Sequence, residues 1–375
     1  MTMKLFDVYP LFDITPVRAE GSWIWDDKGR KYLDLYGGHA VISIGHSHPH
    51  YVKRLKDQLD KIGFYSNSVK NPLQEEFAER LGQLSEYPDY QLFLCNSGAE
   101  ANENALKLAS FVTGRKKVIA FKKAFHGRTS GAVAATDNPK IVSPFNAGHE
   151  IVFVSLNDSA AFLDVLDGDV AAVIIEGIQG VGGIQVPEDS FLQLLDEKCR
   201  ENGTLLILDE IQSGYGRTGK FFAHQYSGIQ PHLITMAKGM ANGFPIGGVL
   251  IQPDIKPWSG MLGTTFGGNY LAAAAGLAVL EVMEQEQLMR NATLVGSHIL
   301  GHLPAVNGIE SIRGRGLMIG FDLAPEHKTV RHDLLFRHGI FTGEAKPNTI
   351  RLLPSLTLTM EEANLFLQAL NEELK

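Results

Sequence analysis

The strongest constraint on the fold is an alternation. Short apolar runs recur at residues 91–95 (QLFLC), 117–121 (KVIAF), 150–154 (EIVFV), 170–175 (VAAVII), 204–208 (TLLIL) and 232–237 (HLITMA). Most are followed by a stretch with helical periodicity, such as GAEANENALKLASFV at 98–112, DSAAFLDVL after 154 and DSFLQLLDEKCREN after 175. Apolar runs this short, without polar alternation, are strands buried on both faces, and intervening helices are what parallel neighbours need to cross over. The expectation is an α/β fold with a mostly parallel central sheet.

Around this block lie two flanking regions. Residues 1–50 read as an N-terminal arm belonging to a smaller domain, with a turn at Asp27–Gly29 inside SWIWDDKGRKYLDLY. Residues 51–270 form the large domain, helical at first with breaks at Gly63 and Pro72. Residues 271–375 carry a long linking helix (about 269–287) and then a small α+β domain with a strand around GRGLMIGFDL, the strand TIRLL and a final helix. A chain of 375 residues has room for one large and one small domain.

Charge and cysteine content narrow the class. A net charge of −8 argues against nucleic acid or an anionic membrane as partner. Two cysteines, Cys95 and Cys199, in apolar segments suggest buried thiols in a reducing compartment. No signal-like segment opens the sequence, and YLAAAAGLAVL is too short to span a bilayer, so a cytoplasmic protein is expected.

Some motifs are tempting but incomplete. His46, His48 and His50 alternate, yet no carboxylate or cysteine joins them at ligand spacing, so no metal site is expected. GYGRTGKF (214–221) nearly spells a nucleotide P-loop, but Phe221 stands where the magnesium-binding hydroxyl belongs.

Three features fit together better. In LCNSGAEANENALK, an apolar strand leads through Ser97, Gly98 and Ala99 into a helix, whose first N–H groups suit a phosphate. Asp209 ends a central strand, where ligands of open α/β sheets bind. Lys238 follows another strand among glycines, where burial would free its amine as a nucleophile. A phosphate cradle, a carboxylate for a ring nitrogen and a nucleophilic lysine are the parts that pyridoxal 5′-phosphate needs.

The ordered set NSGAEANENALKLA, FHGRT, LDEIQSGYGRTG, AKG…GFPIGG, TTFGGN and IRLLP resembles class III, or ornithine-type, pyridoxal-phosphate aminotransferases of fold type I, closest to acetylornithine and succinylornithine aminotransferases. The resemblance spans nearly the whole chain. It implies that Lys238 binds the cofactor and moves the proton, Asp209 pairs with the pyridine nitrogen, and Gln212 lies near the ring hydroxyl. It further implies that Ser97, Gly98 and Ala99 hold the phosphate and that Phe125 stacks on the ring. Thr265 would reach a phosphate across a homodimer interface, so that active sites are shared. Arg128 would hold the α-carboxylate of the acylated ornithine, Arg351 that of glutamate, and Thr264 would line the pocket. The implied reaction moves the δ-amine of an N2-acylornithine to 2-oxoglutarate, in arginine biosynthesis. Ornithine or 4-aminobutyrate transamination on the same scaffold, and a cofactor-binding protein without turnover, are the alternatives.

One turn departs from the family pattern. EGIQGVGG (176–183) resembles the family's E-P-[IV]-Q-G-E-[GA]-G, but carries Gly177 for the proline and Val181 for the second glutamate. That glutamate is thought to pair with the arginine matching Arg351 when no substrate carboxylate does. Here another acid, or water, would have to take its part.

Overall fold

The computed structural model describes residues 3–375. Its centre is a seven-stranded sheet of β4 (Gln91–Cys95), β5 (Lys117–Phe121), β6 (Ile151–Val154), β7 (Val170–Glu176), β8 (Leu205–Asp209), β9 (Leu233–Met236) and β10 (Gly247–Ile251), in the order β4-β10-β9-β8-β7-β5-β6. The pairs β6–β5, β5–β7, β7–β8 and β8–β9 are parallel, whereas β10 runs antiparallel to both β9 and β4. The fold is thus α/β and mostly parallel, as expected. The inserted strand β10 was not anticipated. Its sequence, GGVLI, opens on two glycines at the end of a glycine-rich stretch that reads as loop.

The alternation has the predicted physical cause. On β7, Ala172 and Ile174 pack with Ala105 and Leu108 of the helix Gly98–Thr113, while Val173 and Ile175 pack with Phe191 and Leu195 of the helix Asp189–Asn202. Side chains of a strand alternate between faces, so a strand covered on both sides is apolar throughout.

The flanking regions join each other. Strands β1 (Pro16–Glu20), β2 (Trp23–Asp26) and β3 (Lys31–Asp34) form a sheet completed by β13 (Ile340–Phe341), parallel to β3. A second small sheet orders β11 (Ile309–Arg315), β12 (Met318–Leu323), β15 (Thr349–Leu352) and β14 (Gly343–Ala345) as β11-β12-β15-β14. The segment GRGLMIGFDL is therefore a hairpin turning at Gly316 and Leu317, where a single strand was expected. The piece after FHGRT is helical only over Ser130–Ala134.

The helix Tyr270–Gln285 is buried continuously from Ala272 to Met283, as a helix apolar on every face must be. Its buried Glu281 is met by His50 at 2.5 Å and Arg54 at 2.8 Å. No helix among the described residues is long and apolar enough to cross a membrane.

Candidate active site

The carboxyl ends of β4, β5, β7, β8 and β9 share one sheet edge with the start of β10, since Gly247 lies opposite Cys95 and Gly248 opposite Met236. A cavity of about 380 Å³ opens there. Its walls include Ser97, Gly98, Ala99, Phe125, Arg128, Asp209, Gln212 and Lys238. The structure therefore gathers most of the expected site residues from segments scattered over more than a hundred positions.

Ser97 is the N-cap of the helix Gly98–Thr113, its hydroxyl accepting from the Glu100 N–H at 3.2 Å. The N–H groups of Gly98 and Ala99 belong to the first turn and have no intrahelical partner. Glycine is required close by: a side chain on Gly247 would start 2.4 Å from the Ser97 carbonyl oxygen, so β10 could not pass behind the cradle.

Asp209 ends β8, Glu210 follows it, and the two side chains diverge. Asp209 Oδ2 accepts from Asn102 Nδ2 at 2.7 Å and from His126 Nδ1 at 2.8 Å, while among the described residues Oδ1 accepts only from the Ile211 N–H at 3.1 Å. Asn102 is fixed in turn by the Thr235 hydroxyl, which donates to its Oδ1 at 2.7 Å. Sequence reading named neither Asn102 nor His126 as a site residue. Glu210 turns away from the cavity. Its oxygens accept from the Ser213 hydroxyl (2.6 Å), the Ala223 and His224 N–H groups (3.0 and 2.9 Å) and His224 Nδ1 (2.7 Å).

Lys238 starts just beyond β9 with φ of +39°, a conformation that side chains seldom adopt. Burial holds its pKa below the usual lysine range, opposed by the charges of Asp209 and Glu176. Glu176, at the end of β7, was also missed. Its Oε1 accepts from the Phe125 N–H (3.0 Å) and its Oε2 from the Gly180 N–H (2.9 Å). Burial pushes its pKa up to about 7, with His126 pulling down and Asp209 adding to the rise.

Two buried polar atoms of residues on the cavity wall, Gln212 Oε1 and His126 Nε2, have no protein partner among the described residues. An acceptor left open beside a helix N-terminus, a carboxylate and a lysine suits a ligand with a phosphate, a ring hydroxyl and a ring nitrogen. The residues present fit pyridoxal 5′-phosphate.

A model of the aminotransferase class-III family matches residues 7–374. The chain belongs to that family. An acetylornithine aminotransferase of Archaeoglobus fulgidus is 41% identical to it over 350 residues, 92% of each chain. The crystal structure of N-acetylornithine aminotransferase from Stenotrophomonas maltophilia K279a superposes with a TM-score of 0.83 at 32% identity, covering 97% of this chain and 96% of the other. That of the ornithine aminotransferase from Toxoplasma gondii ME49 gives 0.90 at 28% identity, covering 97% and 91%.

The remaining expected residues of this class-III chain lie off the cavity wall. Thr264 accepts from Asn96 Nδ2 at 3.1 Å, and so touches the wall through Asn96. Thr265 is exposed to solvent. Arg351 is buried on β15 behind the 176–183 turn. Its guanidinium donates to the carbonyl oxygens of Gly180 and Glu344, both at 2.9 Å, and to the Tyr36 hydroxyl at 3.3 Å. All three are neutral oxygens, and no ion pair to Arg351 occurs among the described residues, so no acid takes the part of the missing glutamate. Burial lowers its pKa, while Tyr36 and Glu176 act in the opposite sense.

The altered turn also has a packing logic. A Cβ on Gly177 would come within 2.6 Å of Glu210 Oε1, and Gly180 abuts the Gln212 side chain. Val181 lines the cavity and is 48% exposed. His46, His48 and His50 turn to Asp34, Glu286 and Glu281 separately. In the P-loop-like segment Tyr215, Arg217, Thr218 and Phe221 are buried, with Arg217 donating to the Pro354 carbonyl. Cys95 is buried, and its thiol is pushed up to about 12.

Proposed function

We propose that this protein is a pyridoxal-phosphate aminotransferase that exchanges the δ-amine of an N2-acylornithine with 2-oxoglutarate, as in arginine biosynthesis. The observation that carries the reading is the convergence of Lys238, Asp209, a helix N-terminus and Arg128 on one cavity, in a class-III chain.

Ser97, Gly98 and Ala99 would hold the cofactor's phosphate, Asp209 its ring nitrogen, Gln212 its hydroxyl, Phe125 a ring face and Lys238 its aldehyde. When bound, the cofactor supplies an electron sink and a carrier for the amino group. The protein supplies the rest. Lys238, whose ammonium form is disfavoured by burial, would take the proton from the amine-bearing carbon of the donor and, in the second half-reaction, deliver one to the carbonyl carbon of the acceptor. Asn102 and His126 fix the Asp209 carboxylate, so its charge is oriented before substrate arrives. Arg128, exposed at the cavity, would take the α-carboxylate of the acylornithine, and Arg351 that of glutamate, each through the bidentate geometry of a guanidinium. Thr264 would complete the pocket.

Two copies would form a homodimer with shared sites. Exposed Thr265 sits beside Phe266, 59% exposed and packed against exposed Phe64 with ring centroids 5.4 Å apart, an apolar surface suited to a partner. The unpaired, buried cysteines favour a cytoplasmic setting.

The test is a steady-state comparison of N-acetylornithine, N-succinylornithine, free ornithine and 4-aminobutyrate, each with 2-oxoglutarate. Turnover of an acylornithine at the highest kcat/KM supports the reading. Turnover of free ornithine or 4-aminobutyrate alone overturns it, and cofactor binding without any turnover overturns catalysis.

A further inference from the structure

Arg351 and Gly343 are direct partners across β14 and β15. Gly343 must be glycine, because a Cβ there would lie 2.3 Å from the Tyr36 ring. The ring thus fills the space beside the bare backbone opposite Arg351, and its hydroxyl accepts from the guanidinium.

Tyr36 is held from several sides. Its N–H and that of Gly37 both donate to Asp34 Oδ1, at 3.0 and 2.8 Å, and His46 fixes the other oxygen of Asp34 at 2.9 Å. The His39 ring packs on it at 4.7 Å. Residues 37–40 follow in left-handed conformation throughout, with φ of 54°, 56°, 71° and 65°. Such a turn is unfavourable for His39 and Ala40, and strain of this kind persists only where the surroundings enforce it.

A buried guanidinium must have acceptors in every state of the enzyme. In the half-reaction with glutamate or 2-oxoglutarate, a substrate carboxylate is one. In the acylornithine half-reaction, the methylenes beside the reacting amine offer none. Val181 cannot supply a carboxylate.

We propose that Tyr36 is the specificity-determining residue that lets Arg351 serve both substrates without an acidic partner. This rests on the acylornithine reading. Its neutral oxygen completes a cage with the Gly180 and Glu344 carbonyls when no substrate carboxylate is present. It competes only weakly when one arrives, because an ionised acceptor makes the stronger hydrogen bond. Arg351 then needs no ionic exchange between the half-reactions.

The test compares the holoenzyme with Tyr36→Phe and with the double variant Tyr36→Phe/Val181→Glu. Tyr36→Phe is expected to lower kcat/KM for the acylornithine about tenfold, the order of one hydrogen bond to a charged group. The loss on 2-oxoglutarate should stay within about threefold. Binding of glutarate, a dicarboxylate that cannot react, should be unchanged or tighter by calorimetry. Adding Val181→Glu should restore much of the acylornithine rate and raise KM for 2-oxoglutarate. Equal losses on both substrates, no loss on either, or weaker glutarate binding would overturn the proposal. If the wild type turns over no acylornithine, the functional reading fails instead, and the glutarate measurement still decides the role of Tyr36.

Discussion

Asp209 and Glu210 are successive carboxylates at the end of one strand, both buried, with opposite roles. Glu210 accepts four hydrogen bonds from Ser213, Ala223 and His224, and His224 Nε2 continues to the Tyr87 hydroxyl at 2.7 Å. Asp209 faces the cavity, with two donors on one oxygen and a single backbone donor on the other. A saturated acid can only hold the fold together. An acid anchored on one side and open on the other can meet a ligand. The difference is one of residual hydrogen-bonding capacity, since burial is nearly the same.

Neutralising each acid should separate the roles. Asp209→Asn removes the charge that would face the cofactor ring in the proposed site. Breaking one buried charge pair costs about 4 kcal/mol, so kcat/KM should fall on the order of a thousandfold, with weaker cofactor binding. Urea unfolding of the cofactor-free variant should differ from wild type by only about 1 kcal/mol. Glu210→Gln should do the reverse, costing about 3 kcal/mol of stability while leaving kcat within a few-fold at low temperature. Comparable activity losses in the two variants would erase the distinction.

Titration sharpens the same contrast. Glu176, at the cavity, is raised to about 7 by burial, whereas His232, in the sheet interior, is lowered to about 4 by burial and accepts from the Leu206 N–H at 3.0 Å. The glutamate's contribution to stability is full below its unfolded value near 4.5 and is lost as pH rises through 7. The histidine's contribution is full above its unfolded value near 6.5 and is lost as pH falls through 4. Each amounts to about 3 kcal/mol. Relative to wild type, cofactor-free Glu176→Gln should therefore gain stability as pH rises from 4.5 to 7. His232→Asn should gain as pH falls from 6.5 to 4. Denaturant unfolding at both ends of each window is the check, and parallel curves would remove the assignment.

What sequence could reveal follows the same division. The parallel strands, the helix cradle, Asp209 and Lys238 were legible, because each depends on a local pattern: apolar runs, a capping residue, a charged residue at a strand end. Strand β10 was hidden by Gly247 and Gly248, which blunt any strand signal yet let it run past Ser97 and between β9 and β4. Asn102 and His126 were hidden because their partner, Asp209, is 107 and 83 positions away. Tyr36 and Gly343 take their meaning from Arg351, and only the packing of β14 and β15 against the N-terminal arm brings them together.

The smallest effect probes one of the two departures that sequence did expose. Val181 follows Gly180, whose carbonyl already holds Arg351, and it is half exposed at the cavity. A glutamate there could reach the guanidinium as a competing acid. Solvent would screen that pair, so the competition is worth about 1 kcal/mol, or roughly fivefold in affinity. Val181→Glu should raise KM for 2-oxoglutarate by about that factor and leave the acylornithine KM nearly unchanged, because the acylornithine brings no carboxylate to Arg351. Added salt should shrink the difference, as it does for any exposed ion pair. An unchanged KM for 2-oxoglutarate at low and high salt would mean that position 181 does not address Arg351 at all. Recognition of the two substrates at Arg351 would then rest on the Tyr36 hydroxyl and the two carbonyls alone.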